Sequence, residues 1–195
     1  MILIEKDYLP FSEWSRPGKR LSAVSLIVMH WTANPRLNAK ETRDYFAQVS
    51  GAYASAHFVV GQAGEIVQCI PEDEVAYHCG SSEKDPKSGK VYTDFARERL
   101  GEYASDWKRL SPNLVTLGIE MCPVNDEGDF TLKTTGAAVE LAANLCRQFG
   151  LKADAVCSHQ DIVGWKECPK LWAKEPERAD IFRSAVAGML KENAV

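Results

Sequence analysis

Apolar positions along the chain fall into short runs and helical stripes that alternate. Residues 24–29 (Val-Ser-Leu-Ile-Val-Met) form an apolar run of strand length and predict a buried strand that ends at His30. Residues 39–49 carry Tyr45, Phe46 and Val49 at helical spacing and predict a helix closed by Gly51. Ala56–Val60 and Glu65–Ile70 are β-rich and flank Gly61-Gln62-Ala63-Gly64, a hairpin signal. Val115–Met121 predicts a further buried strand carrying Glu120, and Ala155–Ser158 a short strand delivering His159 to a loop. Between residues 132 and 149, Leu141, Leu145 and Phe149 share one helical face, with Gly150 suited to the position after the last turn. Ile181, Phe182, Ala185, Met189 and Leu190 give a last amphipathic helix, about 178–193.

One segment breaks this rhythm. Residues 81–113 are polar, with Pro86, Gly89, Gly101 and Pro112, and read as a long excursion with a short helix at Arg97–Tyr103. Long irregular segments inside compact domains are often functional, and this one is expected to wall a substrate groove. Strands interleaved with helices, plus one hairpin, predict an α/β fold with a central mixed sheet flanked by helices. With no repeats and no low-complexity linker, the reading is one domain over residues 1–195, with a core at about 21–175.

Composition narrows the function classes. Hydrophobic residues make up 45% of the chain, enough for a packed core, and the net charge of −4 argues against nucleic acid as a partner. No apolar run reaches the roughly 18 residues of a membrane span. The N-terminal Met1-Ile-Leu-Ile-Glu-Lys-Asp7 meets charge too soon for a signal peptide, so synthesis in the cytoplasm is expected. Six cysteines stand singly, without CxxC pairs, and all but Cys168 read as reduced buried thiols.

The candidate chemistry lies at the strand ends, where sites in open α/β sheets form. His30 or His159 alone fits a hydrogen-bonded structural histidine as well as a ligand. Cys168 changes that balance, because a His159-x8-Cys168 loop can curl around a metal with a third ligand arriving from another strand. Glu120 alone also fits a salt-bridged strand-end carboxylate, and Lys166 a solvated loop lysine. His57 reads as structural. His78 fits either the lining of a groove or the support of the turn at Tyr77–Gly80. Trp31 and Trp165 flank the two candidate ligands and fit packing, or stacking on sugar or a peptide stem.

Taken together, Ile27-Val-Met-His30-Trp-Thr-Ala33, Ser55-Ala-His57-Phe-Val-Val60, Ala76-Tyr-His78-Cys-Gly80, Leu117-Gly-Ile-Glu120-Met-Cys122 and Ser158-His159-Gln-Asp161, followed by Lys166-Glu-Cys168-Pro169, occur in that order. The set resembles the N-acetylmuramoyl-L-alanine amidases of the amidase-2 type, from about Ile27 to Pro169. The resemblance implies a zinc enzyme acting on peptidoglycan or muropeptides, with Zn²⁺ held by His30, His159 and Cys168. It also implies Glu120 and Lys166 as catalytic groups; His78, Trp31 and Trp165, from their places beside the site, are the candidates to meet substrate. Relatives of the phage type carry a tyrosine immediately before the position of His57. This chain has Ala56 there, which shifts the proton-transfer role to Glu120. A cysteine as third ligand leans toward the wall-degrading branch, acting after release from the cell, rather than toward muropeptide recycling. Two competitors are a non-catalytic peptidoglycan-binding module and a structural zinc site, which would need a fourth protein ligand.

Overall fold

The structure, a computed structural model, describes residues 2–192. The expected last helical residue, 193, and the extreme ends of the 1–195 domain assignment lie outside the described residues. Six strands, β1 (Ile4–Lys6), β2 (Leu26–Trp31), β3 (Phe58–Val60), β4 (Ile66–Gln68), β5 (Thr116–Met121) and β6 (Val156–Ser158), form one sheet. Their spatial order is β1-β4-β3-β5-β2-β6. Of the described strand pairs only β3–β4 is antiparallel, so the sheet is mixed, as the hydrophobic pattern predicts. Strand β1 was not anticipated: three residues on a sheet edge carry too short a period to read.

Among the described residues are six α-helices: α1 (Ala39–Gln48), α2 (Asp94–Leu100), α3 (Leu132–Phe149), α4 (His159–Val163), α5 (Lys170–Lys174) and α6 (Glu177–Glu192). Helix α1 starts in a capping box, with Asn38 accepting from the Glu41 amide while Glu41 accepts from Asn38. Helix α3 is capped by Thr131 and ends at Gly150 in the left-handed conformation, φ 65°, as expected from the glycine. Helix α2 begins three residues earlier than the Arg97–Tyr103 reading, because Thr93 caps it by accepting from the Ala96 amide.

Helices α3 and α6 bury one whole face of the sheet, against Ile27, Met29, Leu117, Ile119 and Met121. The other face is covered in two separate halves. Helix α1 packs on β3 and β4, while α2 and α4 pack over Leu26 and Val28 of β2. Side chains on β5 alternate, so Thr116, Gly118 and Glu120 point toward this divided face. The gap between the two halves is where the candidate site lies.

Candidate metal centre

Strand register assembles the site. His30 on β2 is the direct neighbour of Glu120 on β5, and Met29 pairs with Ser158, so His159 follows at the same edge. His159 opens helix α4 rather than a loop. The reason is a second capping box, in which Ser158 accepts from the Asp161 amide at 3.0 Å and Asp161 accepts from Ser158 at 2.8 Å. The chain then turns at Gly164, and the Gln160 amide donates to the Cys168 carbonyl at 3.1 Å. That return contact brings the thiol beside the two imidazoles.

His30, His159 and Cys168 are all buried, and one ligand atom from each lies within 4.8 Å of the others. Cys168 Sγ is 3.6 Å from His30 Nδ1, and the His30 and His159 rings are 4.7 Å apart. His159 Nδ1 is buried with no hydrogen-bond partner. An orphaned imidazole nitrogen beside a thiol and a second imidazole is the arrangement a borderline-soft metal would satisfy. Burial holds His30 well below the usual histidine range and His159 at about 3, so both are neutral, the ligating form. Burial pushes the Cys168 thiol up, with Glu120 adding to the effect. A bound dication would reverse that shift.

Glu120 faces the same space. Its Oε2 is buried without a partner, and burial raises its pKa to about 7, opposed by the charge of Lys166. The salt bridge that Glu120 could have made is absent among the described residues. Lys166 is exposed, yet it lines the same cavity as Glu120 and all three metal candidates.

His57 is structural, as expected. Its Nδ1 accepts from the Gly118 amide at 3.0 Å, and its Nε2 donates to the Glu74 carbonyl at 2.9 Å. The turn at Tyr77–Gly80 is held by Asn113, whose Oδ1 accepts from the amides of His78, Cys79 and Gly80. His78 itself reaches His30, with His78 Nδ1 at 3.0 Å from His30 Nε2. It also lines the cavity.

Trp31 lines the cavity, half-buried. Trp165 does not. Leaving α4 through Gly164, it packs half-buried against the cluster of Tyr92, Leu100, Ile162 and Val163. Ala56 is buried in the core beneath α1 and does not line the cavity. The excursion at 81–113 has two roles. Ser81, Ser82, Tyr92, Trp107 and Ser111 line the cavity, while Tyr92, Ala96 and Leu100 belong to the core over β2. The cavity measures about 890 Å³, within the usual range for small-molecule sites.

Residues 20–171 match the N-acetylmuramoyl-L-alanine amidase family, amidase-2 type. The chain belongs to this family. A probable N-acetylmuramoyl-L-alanine amidase of Bacillus licheniformis is 33% identical over 198 residues, covering 100% of this chain and 50% of the relative. The N-acetylmuramoyl-L-alanine amidase BlyA of Bacillus subtilis (strain 168) is 31% identical over 196 residues, with coverage of 100% and 50%. The chain thus spans about half the length of these curated relatives. Among solved structures, the catalytic domain of XlyA superposes with a TM-score of 0.66 at 26% identity, covering 95% of this chain and 99% of that one. The PlyG catalytic domain, at 20% identity, shares the fold with a TM-score of 0.71, covering 97% of this chain and 96% of that one.

Sequence reading missed Asn113, Thr116 and Gly118 as parts of the site. A signal existed for Gly118: an isolated glycine within a strand marks a close approach.

Proposed function

We propose that this chain is a single catalytic domain that hydrolyses the amide between the N-acetylmuramic acid lactyl group and L-alanine in peptidoglycan, using zinc. The observation that carries the reading is the buried His30–His159–Cys168 group opening onto a cavity beside an unpaired Glu120 carboxylate. Two imidazoles and a thiolate suit zinc, and three protein ligands leave a position open. Bound there, zinc would polarise the scissile carbonyl and acidify a water.

The remaining steps belong to the chain. Glu120, a buried carboxylate with an unpaired oxygen facing the cavity, takes the proton from the attacking water and returns it to the departing L-alanine nitrogen. Lys166 supplies fixed positive charge where the carbonyl oxygen becomes negative, an interaction that strengthens as that charge develops. Trp31 and Trp107, which both line the cavity, offer aromatic surface to the sugar or the stem peptide. A cysteine as third ligand supports a wall-lytic role over muropeptide recycling. No helix among the described residues is long and apolar enough to cross a membrane.

Mass spectrometry of sacculi digested with the purified protein tests the reading. Released stem peptides with a free L-alanine amine, from glycan strands of unchanged length, are the expected products. New sugar ends would identify a different reaction. Sacculi bound but left intact would make the chain a binding module.

A further inference from the structure

The His78 ring is held on three sides. It lies against the backbone of β5 at Gly118, where an added Cβ would sit 2.6 Å from His78 Cγ. Its Nε2 is 3.1 Å from Thr116 Oγ1 and 3.4 Å from the Thr116 carbonyl oxygen, and its Nδ1 is 3.0 Å from His30 Nε2. The Thr116 hydroxyl donates to the Pro112 carbonyl at 2.8 Å, so its proton is committed. Both oxygens of Thr116 therefore accept, and the proton of His78 sits on Nε2. His78 Nδ1 then carries the lone pair, and His30 Nε2 must be the donor. The lone pair of His30 is left on Nδ1, the nitrogen that faces Cys168 Sγ.

We propose that His78 is a positioning residue: through the chain Pro112–Thr116–His78–His30 it fixes His30 in the tautomer whose Nδ1 binds the metal, and Gly118 is glycine to admit its ring. This rests on the reading of His30 as a zinc ligand. His78 is thereby reassigned from substrate contact to the support of a ligand. Ligating imidazoles are commonly oriented by a carboxylate or a backbone carbonyl on the other nitrogen. Here a second imidazole does that work, itself oriented by a threonine. An imidazole partner stays uncharged, so the ligand set keeps its own net charge.

Ring-¹⁵N-histidine NMR of the zinc-loaded protein is the test, together with zinc affinity by chelator competition. In the wild type, His30 should show its proton on Nε2, with a coupling across the hydrogen bond to His78 Nδ1. His78→Phe keeps a ring on Gly118 and removes the acceptor. It should abolish that coupling and weaken zinc binding about 10–100-fold, the scale for such supporting groups. Thr116→Val should weaken zinc less and leave His78 in a mixture of tautomers. A His78 that only filled space would lower melting temperature without changing the His30 tautomer or the zinc affinity. A proton on His30 Nδ1 in the wild type, or folded His78→Phe with undiminished zinc affinity, overturns the proposal. If His78→Phe does not fold, the wild-type tautomer and Thr116→Val decide. Failure of the wild type to bind zinc at all would instead overturn the ligand assignment beneath it.

Discussion

On one face of β5, Leu117, Ile119 and Met121 are sealed beneath α3 and belong to the main core. On the other face, one residue away in each case, Thr116, Gly118 and Glu120 meet two histidines and a cavity. The first face is close-packed hydrocarbon, whose burial favours folding. The second holds a carboxylate with an unpartnered buried oxygen and a strand glycine, both of which cost stability. One strand thus divides the labour between its two sides. The polar side is tolerable because the apolar side anchors it.

Glu120→Gln should separate the two faces most strongly. Turnover should fall about 10²–10⁴-fold, the scale of a lost general base, while zinc content holds and the protein stays folded. A variant that hydrolyses sacculi at near wild-type rate would remove Glu120 from the mechanism. Its counterpart on the other face is Leu117→Ala, expected to cost about 2–5 kcal/mol of unfolding free energy. Activity per folded molecule should survive, and a specific loss of kcat there would mean the two faces are not separable. Lys166→Ala should cost about 2–4 kcal/mol of transition-state stabilisation, read in kcat with zinc intact. A change confined to KM would make Lys166 a binding group.

Two weaker effects sharpen the contrast. In the metal-stripped protein, the folded pKa of Glu120, about 7, lies above its ordinary value of 4.5, so the folded state keeps a proton that the unfolded state has lost. That contribution is present below pH 4.5 and disappears as pH rises through 7. His57 and His159, with folded values of about 4 and 3 against 6.5, slope the opposite way on the acid side. The measurement is therefore the difference between wild type and Glu120→Gln in denaturant titrations from pH 4.5 to 7.5. The wild type should lose stability relative to the variant as pH rises, and parallel curves would contradict the raised pKa. Smallest of all, Trp107→Ala should raise KM less than about tenfold with kcat unchanged, since Trp107 is 44% exposed at the cavity rim. An unaltered KM would remove Trp107 from substrate contact.

Much of this architecture was legible in the chain. The apolar runs at 24–29 and 115–121 are strands, the stripe at 132–149 is α3, and Gly150 ends it. His30, Glu120, His159 and Cys168 do meet, because residues at strand ends converge wherever parallel strands share an edge. Helix α4 was also written in the sequence, as Ser158-His-Gln-Asp161, but a run of five residues gives no hydrophobic period to notice.

The long strands and helices, the polar residues at their ends and the family to which the chain belongs are all read from the chain alone. Those depend on local periodicity and on residue identity, which one dimension carries. Folding alone sets that Trp165 packs against the cluster over β2, that Asn113 holds the turn at 77–80, and that His78 reaches His30 across 48 residues of chain. A hydrogen-bond partner or a packing neighbour is set by register and by which side of a strand a residue occupies. A shift of one residue would exchange the cavity side of β5 for its core side, so these roles exist only once the sheet has formed.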